Sequence, residues 1–401
     1  MTGLHMTRND PIKITRVKTI VVNAEMRNWI FVKVETNQDG LYGWGEASLN
    51  WKTRAVTGCI EDLEPLLIGH DPRDIELILQ VLNKHSYYRL GIIGATAISG
   101  IEHALWDIAG KSAGLPVWRL LGGKTRDYVP LYTHLGLGDM KSVYETFDPA
   151  PLRDNALRVI EQGYNALKVV FIPYSHYMVD RAARRRVEEL MKTLRDAVGE
   201  NIAIMVDFHG RPASISVALQ YIEALAPFDP YFIEEPVQPG DPEAMRLITE
   251  RAPCPVAAGE RLIGYKEFEP LLQNRGVHIL QPDLNHTGGL LEGKKIAAAA
   301  EEVMIGIAPH NPNGPIAGAA ALHFAISTPN FVIQEEMSGA VPWYDDVVSA
   351  PMKREGSNWL IPDVVGFGVE INESEAAKHP FKPEVFHSRT AVLDDGTIVD
   401  W

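Results

Sequence analysis

Cysteine is nearly absent: Cys59 and Cys254 are the 2 in 401 residues. A pair so far apart in sequence excludes a disulfide framework and a cysteine-rich metal site, and predicts a reducing, cytoplasmic setting. Positive charge is also scarce, with 38 lysines and arginines against 52 acids and a formal net charge of −14. That balance argues against nucleic acid and anionic membrane as partners. No run of about 18 apolar residues is present to span a bilayer. The opening MTGLHMTRND lacks the apolar stretch of a secretory signal and predicts about ten frayed residues. No Walker sequence and no H-E-x-x-H occur, and GLGDMK at 136–141 lacks the third glycine of a dinucleotide loop.

What the chain does have is length for about two or three domains and 46% hydrophobic residues to fill them. The first stretch reads as a meander: IKITRVKTIVV, WIFVKVET and LYGWGEA, the last two joined through Asp39 and Gly40. Helical patterns follow near 54–67, 73–84 and 92–113, which predicts a small α+β capping domain over 1–126. From 127 to 336 short apolar strands alternate with helix-length segments: VPLYTHL, ALKVVF, IAIMVDF, YFIEEP, PVAAGE, HILQPD, IGIAPH and FVIQEE. From Asp207, polar strand ends recur after 27, 26, 23, 27 and 25 residues, at Glu234, Glu260, Asp283, His310 and Glu335. Such a period is a repeated strand–helix unit. A doubly wound open sheet shares the alternation, but ionisable groups ending six consecutive strands favour an α/β barrel, which gathers them around one mouth. The segment 337–401, with Trp343 and Trp359, reads as packed chain returning to the first domain.

Asp207, Glu234 and Glu260 end neighbouring strands, and three carboxylates converge only if something offsets their repulsion. Oxygen ligands without cysteine fit Mg2+, with Mn2+ as the alternative. Alternation leaves open which of Glu234 and Glu235 points inward, since neighbours face opposite ways. His209 and His310 are the acid–base candidates. Asp283 precedes His310 by one strand and can orient its ring, although it could instead cap the helix near Gly288 and Gly289 or pair with Lys294. Lys168 and Glu335 stand where a substrate carboxylate would lie. A cation flanked by histidines suits removal of a proton beside a carboxylate, then loss of a C3 hydroxyl to give a 2-keto-3-deoxy acid.

The motifs ALWDIAGK, VDFHGRPA, FIEEPV, AAGERL, ILQPDLNHTGG, APHNPNGPIA and IQEE cover most of the chain. On them the sequence resembles the mandelate racemase subgroup of the enolase superfamily, and within it the galactonate dehydratases and other sugar-acid dehydratases. The resemblance implies a modified (β/α)7β TIM barrel with an amino-terminal capping domain. It implies Asp207, Glu234 and Glu260 as magnesium ligands, His310 with Asp283 as general base, His209 as general acid, and Glu335 at the substrate carboxylate. It also implies that the cap segments 23–29 and 48–54 line the sugar end, with Arg27 and Trp29 as substrate contacts, and that the chain forms a homo-oligomer, a dimer or an octamer. Racemising relatives carry Lys-x-Lys on the second barrel strand, whereas this chain has Lys168, Val169 and Val170, which disfavours racemisation. An epimerase, a dehydratase of another acid sugar and a non-catalytic relative are the competing readings.

Overall fold

The computed structural model describes residues 11–85, 87–89, 91–135, 148–384 and 391–400. The first ten residues, expected to fray, and the glycine segment at 136–141 lie outside them. The chain opens with the antiparallel meander β1 (Ile14–Ala24), β2 (Arg27–Thr36) and β3 (Tyr42–Glu46). Gly40, at φ +78°, takes the left-handed turn between β2 and β3 that a side chain would resist. Three helices, α1 (Thr53–Leu63), α2 (Ile75–His85) and α3 (Gly91–Ala113), then pack on the sheet. Ile98, Ile101, Leu105 and Ile108 of α3 share one buried core with Ile30, Val32 and Val34 of β2.

Gly43 and Gly45 set how close sheet and helix approach. A Cβ on Gly45 would lie 1.8 Å from the carbonyl oxygen of Gly100, and one on Gly43 would lie 2.0 Å from that of Ala104. Main chain cannot swing aside as a side chain can, so Gly45→Ala is expected to cost about 1–3 kcal/mol through overpacking. A thermal melt that leaves the midpoint unchanged would refute this account of the contact.

Eight parallel strands follow: β4 (Tyr128–His134), β5 (Ala166–Val169), β6 (Ala203–Asp207), β7 (Phe232–Glu234), β8 (Val256–Ala258), β9 (Ile279–Leu280), β10 (Gly306–Ile307) and β11 (Gln334–Glu335). Each pairs with the next from β4 to β10, Ile307 bridges to Phe331, and β11 pairs with β4, so the sheet closes on itself. Closure rules out the doubly wound alternative. Among the described residues seven helices alternate with the strands, from Pro149–Glu161 to Pro315–Ile326. The eighth strand is followed instead by the hairpin β12 (Arg354–Glu355) and β13 (Asn358–Leu360), which pairs antiparallel with β4. This is the (β/α)7β arrangement.

One side chain per strand fills the lumen: Tyr132, Ala166, Met205, Phe232, Ala257, Ile279, Ala308 and Ile333. A lumen packed with large and small residues is a core and not a pore, which leaves the mouth for chemistry. The last segment returns over the first domain. Trp44 Nε1 and Lys111 Nζ donate to Glu370, and Lys18 and Lys33 both reach Glu373. Asp107, from the ALWDIAGK motif, accepts the main-chain N–H of Trp44 at 3.0 Å and of Phe367 at 2.9 Å, tying sheet, helix and tail together.

Candidate active site

Alternation decides which side chains reach the mouth. Met205 fills the lumen from β6, so Asp207, two residues on, points the same way one layer higher. Phe232 then Glu234 on β7, Ala166 then Lys168 on β5, Ala308 then His310, and Ile333 then Glu335 repeat the step. The lumen position of Phe232 thereby resolves the glutamate pair. Glu234 stands beside Asp207 in the sheet register, while Glu235 holds the Arg261 guanidinium through both carboxylate oxygens. Glu260 arrives by a turn: Gly259 has φ +142°, and a Cβ there would come within 2.9 Å of Phe268.

Asp207, Glu234 and Glu260 offer oxygens that all lie within 4.8 Å of one another. Glu234 Oε1 and Glu260 Oε2 are buried and accept no hydrogen bond from the protein. Burial, followed by the neighbouring charge of Asp207 for Glu234 and of Glu235 for Glu260, raises the pKa of both groups. Burial also works against the charge of Asp207, but His209 and Lys168 outweigh it and hold that carboxyl below the usual range. Orphaned, mutually repelling oxygens are the donor set a hard divalent cation neutralises, so the residues fit Mg2+ or Mn2+.

His209 sits at φ 52°, with its main-chain N–H on Asp207 Oδ1 at 2.8 Å and its Nε2 3.1 Å from Asp207 Oδ2. His310 Nδ1 lies 2.8 Å from Asp283 Oδ2. Burial opposes the charge of Asp283, yet His286 and His310 together hold its carboxyl below the usual range, so His310 Nδ1 carries the proton. His310 Nε2 lies 3.5 Å from Glu260 Oε2; burial opposes the charge of this ring, but Glu260, Glu335 and Asp283 outweigh it and raise its pKa to about 10. The other readings of Asp283 fail: Lys294 donates to Ser327, and the helix Leu290–Glu302 takes its N-terminal acceptor from Glu102.

Lys168 is fully buried, 2.9 Å from Glu234, 3.1 Å from Glu335 and 3.6 Å from Asp207. Glu335 also accepts the N–H of Asn311 at 2.8 Å and faces His134 Nε2 at 2.5 Å. His134 was absent from the sequence-based set. The signal was present, since it follows Tyr132 by two residues on β4 as Asp207 follows Met205. Arg261, which joins Glu235 at the rim, had no comparable strand-end signal.

A cavity of about 310 Å3 opens over these groups. Lys168, Asp207, His209, Glu260 and His310 line it from the barrel, and Arg27, Asn50 and Trp51 from the cap. Arg27 also donates to the carbonyl oxygen of Pro312. Trp29 is a correction: it does not line the cavity. It shares the face of Arg27 on β2, but its ring is 1% exposed, packed edge-on against Tyr344 and close to Gly314. The shorter side chain stops in the cap–barrel interface that the arginine reaches past.

A barrel mouth that gathers an acidic triad, a carboxylate-held histidine and a second histidine has the groups an acid–base enzyme needs. Comparison with known proteins narrows the class. Residues 4–122 match the mandelate racemase / muconate lactonizing enzyme N-terminal domain, and residues 151–375 match the enolase C-terminal domain-like family. The chain belongs to this family, within the enolase superfamily. It is 35% identical over 401 residues to a D-galactonate dehydratase of Verminephrobacter eiseniae, covering 97% of this chain and 100% of that one. It is 36% identical over 399 residues to a D-galactonate dehydratase of Klebsiella pneumoniae, with the same coverage. Among solved structures, an enolase from Agrobacterium radiobacter with Na and L-malate bound superposes with a TM-score of 0.87 at 30% identity, covering 97% of this chain and 100% of that one. No helix among the described residues is long and apolar enough to cross a membrane.

Proposed function

We propose that this protein dehydrates a sugar acid, an aldonate of the galactonate type, to a 2-keto-3-deoxy acid. The observation that carries the reading is the pair of differently held histidines at one cavity. Asp283 holds His310 through Nδ1 and leaves its Nε2 turned to the acidic triad, whose charge a bound cation would offset, while His209 stands on a different strand end beside Asp207. Full-length similarity to D-galactonate dehydratases supports the same reaction.

Asp207, Glu234 and Glu260 would hold Mg2+, which supplies Lewis-acid stabilisation for charge developing on the substrate carboxylate. His310 Nε2 takes the proton from C2. The electron pair left on C2 forms the C2–C3 double bond as the C3–O bond breaks, and His209 gives the departing hydroxyl the proton that makes it water. The enol then tautomerises to the ketone. Lys168 faces the carboxylate end of the acid, with Glu335 behind it. Arg27, Asn50 and Trp51 meet the hydroxyls farther along the chain, which makes the cap the selector of the sugar.

The test is to incubate the magnesium-loaded protein with aldonic and aldaric acids and read 2-keto-3-deoxy products by semicarbazide absorbance. We expect turnover of at least one aldonate, its loss after chelation, and its return with Mg2+ or Mn2+. Exchange at C2 in deuterated water with a stereoisomer as product would replace dehydration by epimerisation. No product and no exchange across the set would overturn both.

A further inference from the structure

Asp283 has more neighbours than its partner His310 requires. Its Oδ2 accepts His310 Nδ1 at 2.8 Å and Asn313 Nδ2 at 3.1 Å, while Oδ1 accepts the N–H of Asn285 at 2.7 Å. Both lone pairs of Oδ2 are therefore used. A second imidazole, His286, stands 3.5 Å from the same oxygen through its Nε2. A third donor on Oδ2 would compete directly with His310.

The state of His286 follows from a residue of the other domain. Thr96, on α3 of the cap, lies 3.0 Å from His286 Nδ1 and also donates to the carbonyl oxygen of Ile92 at 2.7 Å. A hydroxyl has one proton. With that proton on Ile92, the Thr96 oxygen is an acceptor, and His286 Nδ1 must be the donor. Burial keeps this imidazole below the usual histidine range, so the ring is neutral and Nε2 is bare. The 3.5 Å gap agrees, because an N–H facing a carboxylate would close to about 2.7–2.9 Å.

Thr96 is one of three polar residues along the same face of α3. Ser99 accepts the N–H of Gly288 at 3.1 Å, and Glu102 accepts those of Leu290 and Leu291 at 2.9 Å each. All three are fully buried. The cap helix thus holds the segment 286–291 that runs on from Asp283.

We propose that Thr96 and His286 are positioning residues for the base: the cap hydroxyl fixes the His286 tautomer, which leaves Asp283 to His310. This rests on the reading of His310 as the base. If Thr96 becomes valine, His286 Nδ1–H loses the Thr96 oxygen as an acceptor. The proton is then better placed on Nε2, where Asp283 receives it and shares its charge between two rings.

The experiment pairs Thr96→Val with Thr96→Ser, which keeps the hydroxyl. In a crystal structure of T96V we expect the His286 Nε2 to Asp283 Oδ2 separation to close to about 3 Å or less, and in T96S to stay near its present length. In T96V, C2 exchange should slow about tenfold with KM and Mn2+ affinity kept, and the isotope effect with C2-deuterated acid should rise. T96S should behave as wild type. An unchanged gap in T96V, or a T96S as impaired as T96V, overturns the proposal. Wild-type protein that exchanges no C2 proton would refute the base reading instead, and the crystallographic arm would still decide the tautomer.

Discussion

His310→Asn is expected to abolish both C2 exchange and dehydration, lowering kcat by about 10²- to 10⁴-fold, the range removal of a general base produces. Asparagine suits the test because its amide nitrogen stands near the place of Nδ1. It can still donate to Asp283, which accepts from His310 at 2.8 Å. The buried carboxylate keeps a partner, and the cost of leaving it bare is avoided. What asparagine lacks is any atom at the place of Nε2, the ring nitrogen on the side away from Asp283. Mn2+ titration should give wild-type affinity, because the triad is untouched. Deuterium uptake at C2 of recovered substrate, followed by mass spectrometry, is the direct reading, and dehydration at the wild-type rate would remove His310 from the mechanism.

Much of this site was legible because barrel strands put chemistry into a regular pattern. The spacing from Asp207 to Glu335 is a repeat of whole strand–helix units, and period-two alternation carries each lumen residue to a partner at the mouth. Glu234 and Glu235 illustrate the limit. Adjacent residues face opposite sides, so the choice needed Phe232 to be known as a lumen residue, and YFIEEP alone does not say which apolar residue that is. His134 is legible by the same step from Tyr132, but the apolar run VPLYTHL continues to Leu135 and so does not end on an ionisable group. Trp29 marks a different limit: the resemblance implied it as a contact together with Arg27, and the two do share a face of β2, but reach decides which of two side chains on one face touches a ligand.

The cap–barrel contacts were the least legible part. Glu46, Glu102 and Asp107 carry no periodic signal, and each acts on main-chain N–H groups far away in sequence. Glu46 accepts those of Gly314 and Ala317 at the start of the helix Pro315–Ile326, and Glu102 those of Leu290 and Leu291. Carboxylates at helix N-termini are favourable there through the unsatisfied N–H groups and the helix dipole. Both helices follow the strands that deliver Asp283 and His310. The domain that lines one side of the cavity therefore also fixes the segments beside Asp283 and His310.

His209→Asn should separate the two halves of the reaction. His209 occupies the left-handed region at φ 52°, where asparagine is among the side chains that settle without much strain. The turn after β6 should survive, and with it the placement of Asp207, whose Oδ1 accepts a main-chain N–H that the substitution leaves in place. His310 and Asp283 are untouched, so proton removal from C2 should continue. What is lost is the proton for the departing C3 hydroxyl. In deuterated water the variant is expected to return substrate labelled at C2 while its dehydration rate falls by about 10²- to 10⁴-fold. Loss of exchange together with dehydration would mean that His209 serves the first step, through the metal ligand beside it or as a base itself. Dehydration at the wild-type rate would leave the C3 hydroxyl departing without this histidine, and the acid would have to be sought elsewhere along the cavity wall.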